Sequence, residues 1–288
     1  MLFMKPEAQN KIKNVNSYYI YSIFIKIFIA SGLLSIISCN KFELNPVQIK
    51  NSDSPTNLNA KNIEELLSKE SISDDTVTFL FTGDSQRFYD RLDDLVEKAN
   101  QYTNIDFLLL DGDISDFGLL QEFLWIHERL EKLNIPYISV IGNHDLTSRG
   151  SDVYTEMFGP KNFSFTYKKN KFLCHDDNSR EYNFSGVVPH IDWLTEQLND
   201  TTAEWFIGAS HIPPWSTDFD PNLVNEYMNL FGSHSEFILS LHGHHVDPSE
   251  RYYNNDAVLY INSSGVQKTE CYIIKLIHGT IIKELITY

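Results

Sequence analysis

The chain has 288 residues, a formal net charge of −16, and 42% hydrophobic and 13% aromatic residues. That apolar content excludes a disordered chain. The acidity excludes a sequence-independent nucleic-acid binder, because phosphate backbones are held by clustered Lys and Arg. Three cysteines, Cys39, Cys174 and Cys271, are too few for a disulfide-rich scaffold or a four-cysteine zinc site.

The N-terminal region reads as an export signal. Lys5, Lys11 and Lys13 precede an apolar run from Ile27 to Ile37, followed by Ser38-Cys39. A run of about eleven residues is short for a permanent helical span of about twenty. Extending it back to Tyr18 would bury Lys26 in the bilayer, at a cost of about 3 kcal/mol. The ending Ile36-Ile37-Ser38-Cys39 resembles a bacterial lipoprotein lipobox. The resemblance implies cleavage before Cys39 and lipidation of its thiol; an uncleaved anchor helix is the alternative. Either reading exports the rest of the chain and tethers it to a membrane. Loss of residues 1–38 removes four Lys and one Glu, leaving a net charge of −19. Such a surface is not drawn to anionic lipid, so the lipid on Cys39 is expected to do the anchoring. Cys174 and Cys271 then either pair with each other or are ordinary buried thiols.

Residues 39–75 read as a linker, rich in Asn, Ser, Lys and Glu, with a hint of helix only from Asn62 to Ser68. Residues 76–288 read as one domain. Val77-Thr-Phe-Leu-Phe81 is a short apolar strand ending at Gly83-Asp84. Leu92, Leu95, Val96 and Ala99 recur at helical spacing. Asp106 to Leu110 is a second strand ending at Gly112-Asp113, and Leu120, Phe123, Leu124, His127 and Leu130 line a second helix. Pro136 to Ile141 is a third strand, ending at Gly142-Asn143-His144-Asp145. This alternation favours βαβ units and a parallel sheet. After Phe163 the pattern becomes hairpin-like up to Cys174. Trp193, Leu194 and Leu198 suggest a helix. Strands follow at Trp205–Ile207, leading to Ser210-His211, and at Phe237–Leu241, leading to Gly243-His244. Cys271 to Ile286 reads as an antiparallel pair turning near His278-Gly279.

Five segments thus repeat one design, an apolar strand followed by residues able to bind metal. Loops beyond the carboxyl ends of strands share one sheet edge, so residues far apart in sequence converge there. A glycine before the ligand is expected to let the backbone turn sharply out of the sheet. Carboxylates, an amide oxygen and imidazoles form a mixed oxygen–nitrogen set, suited to Mn²⁺, Fe or Zn²⁺ rather than Ca²⁺.

The segments Phe81-Thr-Gly-Asp84, Asp111-Gly-Asp113-Ile-Ser-Asp116, Gly142-Asn-His-Asp145, Ala209-Ser-His211-Ile-Pro-Pro214 and Leu241-His-Gly-His244 resemble the calcineurin-like metallophosphoesterase superfamily. The resemblance implies a four-layer α/β/β/α sandwich of two mixed sheets flanked by helices. It also implies one or two divalent metal ions and hydrolysis of a phosphoester. Carried over by position, Asp84 binds the first metal, Asp113 bridges both, and Asn143, His211 and His244 complete the ligand set of the second metal. His144 sits beside the phosphate as the catalytic imidazole, with Asp145 or Asp116 orienting its ring.

Two positions depart from the family pattern. Gln86 stands where the first motif usually has His, and Val246 stands where the last motif has its second His. Several completions of the first site stay open. Gln86 offers an amide oxygen, His245 or Asp247 swings in, Asp116 substitutes from the position where purple acid phosphatases carry a Tyr ligand, or one metal suffices. The expected function is metal-dependent hydrolysis of a phosphomonoester or phosphodiester by a membrane-tethered, exported enzyme. The alternative is a degenerate, non-catalytic binder of metal or phosphate.

Overall fold

A computed structural model describes residues 22–23, 25–28, 47–70, 75–253 and 258–288. The chain divides into two compact units, Met1–Leu44 and Asn45–Tyr288. In the first, residues 22, 23 and 25–28 are helical. No helix among the described residues is long and apolar enough to cross a membrane. The lipobox and Cys39 lie outside the described residues.

The second unit is built on two sheets. The first has five strands in the order β11-β10-β1-β2-β3: Thr280–Thr287, Glu270–Ile277, Val77–Thr82, Phe107–Leu110 and Tyr137–Ser139. β1, β2 and β3 are parallel, and β10 runs antiparallel to β1. The second sheet has six strands in the order β4-β5-β6-β7-β9-β8: Phe163–Tyr167, Asn170–Cys174, Trp205–Ala209, Phe237–His242, Leu259–Asn262 and Ser249–Tyr252. Its four central strands are parallel and its edges antiparallel.

Period-two alternation sorts the side chains into layers. Phe79, Phe81, Phe107 and Leu109 of the first sheet meet Phe172, Ile207, Leu239 and Ile261 of the second in a dry inter-sheet core. Leu80, Leu108 and Leu110 point the other way. They pack under α2 (Tyr89–Ala99), α3 (Leu120–Leu130) and α4 (Gly150–Met157). Leu173, Phe206 and Phe237 face α5 (Ile191–Leu198) and α6 (Val224–Gly232). The result is the four-layer α/β/β/α sandwich.

Three elements differ from the sequence expectations. The stretch read as a linker contains α1 (Leu58–Ser68). Asn59 exchanges two hydrogen bonds of 2.9 Å with the Ser139 backbone, and Asn62 donates to the Tyr137 carbonyl at 2.6 Å. These amides do for the open edge of β3 what a further strand would do, so the compact unit starts well before residue 76. Secondly, α4 and α6 are helices not anticipated from the sequence. Thirdly, Cys174 and Cys271 are both free. Cys174 faces the inter-sheet core and Cys271 faces the helices, so a layer of sheet separates the thiols and they cannot pair.

Candidate metal centre

Parallel strands place their carboxyl ends on one rim. Asp84 follows β1, Asp113 follows β2, Asn143 and His144 follow β3, His211 follows β6 and His244 follows β7. The backbone does more than bring them near. Asp84, Asp113 and His244 themselves adopt left-handed conformations, with φ of 49°, 52° and 67°. Such a conformation costs a non-glycine residue roughly 1–2 kcal/mol, which the surrounding fold must supply. Glycine before the ligand has two different uses here. Gly112 does turn, with φ of +105°. Gly83 and Gly243 instead provide space, because a Cβ at either would lie 1.5 Å or 2.3 Å from Asp111 Oδ1.

One ligand atom from each of Asp84, Asp113 and His211 lies within 4.8 Å of the others. His211 has its Nδ1 2.6 Å from the Asp111 backbone carbonyl. A carbonyl only accepts, so Nδ1 carries the proton and Nε2 turns to the cluster. Nε2 lies 3.3 Å from Asp113 Oδ2 and 3.2 Å from Asn143 Oδ1. Asn143 Oδ1 in turn lies 3.1 Å from His244 Nδ1. A neutral His211 would therefore aim a lone pair at two oxygens that also bear lone pairs. Only a positive charge among these atoms satisfies them together, either a proton on the imidazole or a metal ion.

The protonation equilibria express the same demand. Burial pushes the Asp84 carboxyl up to about 7, with Asp113 adding to the rise. Asp113 is lowered from the ordinary carboxylate value; burial opposes this, but His211 and then His144 beside it together outweigh burial. His211 is raised well above the usual imidazole range against its burial, by Asp113, Asp84 and Asp111. Burial, and then His211, lowers His244 to about 4, so it stays neutral and able to ligate at neutral pH. The donor set therefore fits a divalent cation: two carboxylates, an amide oxygen and two imidazoles, with protons standing where a cation would neutralise them.

The first-metal side is poorer. Gln86 lies with Nε2 3.4 Å from Asp113 Oδ2, and its buried Oε1 has no hydrogen-bond partner, nor does Asp84 Oδ2. Both atoms are oxygens suited to a hard cation. Val246 is apolar, and its Cβ and that of Asp84 lie 3.3 and 3.4 Å from where a Gly265 Cβ would stand. Apart from Gln86, the structure brings in none of the replacements considered for the missing imidazoles. Asp247 is 78% exposed and paired with Lys268 at 2.7 Å. His245 is exposed, with its backbone N–H on the Gly243 carbonyl. Asp116 is taken by Arg87 at 2.5 Å.

His144 stands at the rim. Its backbone N–H donates to Asp113 Oδ1 at 2.9 Å. Its Nδ1 lies 3.1 Å from the Asp116 carbonyl and 3.5 Å from Asp116 Oδ1, so Nε2 is the nitrogen available to a substrate. Asp116, not Asp145, is the carboxylate beside this ring. Asp145 is buried and accepts the N–H groups of Ser115 and Gly142 at 2.7 and 2.9 Å, locking the loops after β2 and β3 together.

Two further carboxylates support the imidazoles. Asp177 Oδ1 accepts the N–H groups of His211 and Ile212 at 3.1 and 2.8 Å and so fixes the turn that presents His211. Asp218 lies 3.3 Å from His244 Nε2. The sequence offers Asp177 only as part of the polar cluster His175-Asp176-Asp177 beyond Cys174, and nothing in it marks Asp218; each acts across a fold-level contact.

Residues 77–248 match the family model for the calcineurin-like phosphoesterases. A probable cyclic nucleotide phosphodiesterase from Xenorhabdus bovienii is 32% identical over 114 residues, 38% of this chain and 40% of that protein. Another from Moraxella catarrhalis is 23% identical over 173 residues, 52% of this chain and 62% of that protein. The chain thus spans less than two thirds of these curated relatives. Among solved structures, a dimetal phosphatase from Danio rerio superposes with a TM-score of 0.57 at 15% identity, covering 74% of this chain and 99% of that one. At that identity the likeness concerns the fold. The family match covers more than half of the sequence, and the chain belongs to the calcineurin-like phosphoesterases, a family of metal-dependent hydrolases.

Proposed function

We propose that this chain hydrolyses a phosphoester with the help of divalent metal, and that phosphodiesters are its first candidate substrates. The observation that carries the reading is the convergence of His211 Nε2, Asp113 Oδ2, Asn143 Oδ1 and His244 Nδ1, each within 3.3 Å of a neighbour in the set. The diester preference is supported by the cyclic nucleotide phosphodiesterase names of both curated relatives.

Asp113, Asn143, His211 and His244 would hold one ion; Asp84, Asp113 and Gln86 would hold a second, harder one. Bound there, divalent cations supply charge neutralisation for the phosphate and acidify a water enough to attack at neutral pH. The protein supplies the rest. Asp116 keeps the His144 ring oriented with Nε2 outward, so a protonated His144 gives its proton to the departing oxygen. Arg87, paired with Asp116 and 60% exposed, keeps that carboxylate in place at the rim. The left-handed backbone at Asp84, Asp113 and His244 pre-orients the ligands before substrate arrives.

Lipidation of Cys39 would hold this domain at a membrane surface outside the cytoplasm, with the acidic domain itself contributing no attraction to anionic lipid.

A second reading rests on Val246 and Gln86: a domain that keeps one ion and binds a phosphate without turning it over. Hydrolysis of an aryl phosphodiester, an aryl phosphomonoester and a cyclic nucleotide with added Mn²⁺ decides between them. Turnover of the diesters, abolished by chelation, supports the proposal; binding of inorganic phosphate with no turnover of any ester supports the second reading.

A further inference from the structure

Two imidazoles converge on Asn143, and each has its far nitrogen engaged. For His211 the partner is a backbone carbonyl. For His244 it is Asp218, whose Oδ2 lies 3.3 Å from Nε2. Asp218 is itself tied down. Arg180 Nη1 lies 3.2 Å from both of its carboxylate oxygens, and the Arg180 backbone N–H donates to the Asp218 carbonyl at 3.2 Å. The two residues belong to different loops, one after β5 and one after β6, and this clamp joins them over the rim.

An imidazole with a carboxylate on Nε2 carries its proton there, because a carboxylate only accepts. Nδ1 is then a bare lone pair. That nitrogen is the one 3.1 Å from Asn143 Oδ1, inside the second-ion cluster. With the proton on Nδ1 instead, His244 would donate to Asn143 and could not ligate a cation. Building on the metal-binding reading above, we infer that Asp218 is a positioning residue: held by Arg180, it selects the His244 tautomer that offers Nδ1 to the second ion. Partners of this kind fix ring orientation and raise ligand basicity, and their loss typically weakens metal affinity roughly 10- to 100-fold.

Asparagine at this position separates tautomer control from a mere loop tether. Asp218→Asn keeps the size of the side chain, and its amide oxygen still accepts from Arg180. That contact turns the amide NH₂ towards His244 Nε2, which then accepts, and the imidazole proton moves to Nδ1. The probe is Co²⁺ titrated into metal-free full-length protein by calorimetry, with the melting temperature of each metal-free variant measured alongside. Asp218→Ala and Asp218→Asn are both expected to lose roughly 10- to 100-fold in affinity for the tighter ion. Arg180→Ala, which leaves the carboxylate in place, is expected to lose less. Nitrogen-15 NMR of metal-free wild type is expected to show His244 protonated on Nε2. If Asp218→Asn binds Co²⁺ as tightly as wild type, or if the wild-type proton sits on Nδ1, the inference is overturned even where wild type binds metal. If wild type binds no Co²⁺ at all, the metal reading itself falls.

Discussion

The two halves of the candidate metal centre are built to different standards. On the proposed second-ion side both imidazoles have a supporting partner. His211 is fixed by the Asp111 carbonyl, its turn by Asp177, and His244 faces Asp218. On the first-ion side Asp84 Oδ2 and Gln86 Oε1 have no hydrogen-bond partner, and Val246 presents methyl groups. Both halves hang on the same strand ends and share Asp113. The strand ends therefore bring residues together, and the surrounding partners decide how well each half can grip an ion. A mixed nitrogen–oxygen half and an oxygen-only half should also differ in taste, the first favouring Zn²⁺ or Fe and the second Mn²⁺ or Mg²⁺.

Substitutions can break or sharpen that contrast. Asp113 belongs to both halves, so Asp113→Ala should abolish metal binding and bring ester hydrolysis to background, measured by metal analysis of the purified variant. His144→Ala touches neither half. Turnover should fall roughly 10²- to 10⁴-fold with the ion count unchanged; a variant that loses its ions as well would contradict the role given to His144.

pH tests the first-ion half. The folded pKa of Asp84, about 7, lies above the ordinary carboxylate value of 3.8. Between these values the folded state binds more protons than the unfolded state, so this group contributes stability at low pH that is lost as pH rises through 7. A cation must displace that proton. Apparent affinity of the first ion should therefore grow by about tenfold per pH unit up to about 7, then level off, while the second ion, which must also displace the raised His211 proton, keeps gaining above 7. His244, lowered to about 4, is already neutral across that window and does not blur the result. Scanning calorimetry with and without Mn²⁺ at several pH values reads this directly, and stabilisation independent of pH would count against it.

Val246→His asks whether the first half can be repaired. Its expected effect is a tighter first ion, seen as an ion count nearer two at low metal concentration, with no change at the second site. The smallest effect belongs to a region away from the rim. Asn59→Ala removes both bonds that α1 makes to Ser139 and should destabilise the fold by roughly 1–3 kcal/mol while leaving metal affinity untouched.

The parts of this centre that can be read from sequence are those that follow strands. Asp84, Asp113, Asn143, His211 and His244 each stand two to four residues beyond an apolar run, and a glycine precedes four of the five, so these runs are enough to point to them. The layers of the sandwich follow from the same runs. What the sequence does not disclose depends on contacts made only after folding. Asp177, Asp218 and Arg180 lie in loops whose local text resembles any polar turn. Gly83 and Gly243 look like turn glycines, yet they serve to accommodate the Asp111 side chain from a neighbouring strand. The Asn-rich α1 reads as solvated spacer because its polar side chains pair with a strand edge nearly 80 residues away. In α6, Tyr227, Met228 and Phe231 do mark a buried face, but Asn and Gly around them hide the helical period.

The sharpest test of the contrast between the halves is a calorimetric titration of metal-free protein with a single divalent ion, repeated on Asn143→Ala. Wild type should take up one ion tightly and a second more weakly, and the variant should lose the tight event while keeping the weak one. Two equivalent ions in wild type, or a tight event that survives loss of Asn143, would contradict the assignment of the stronger grip to the imidazole side.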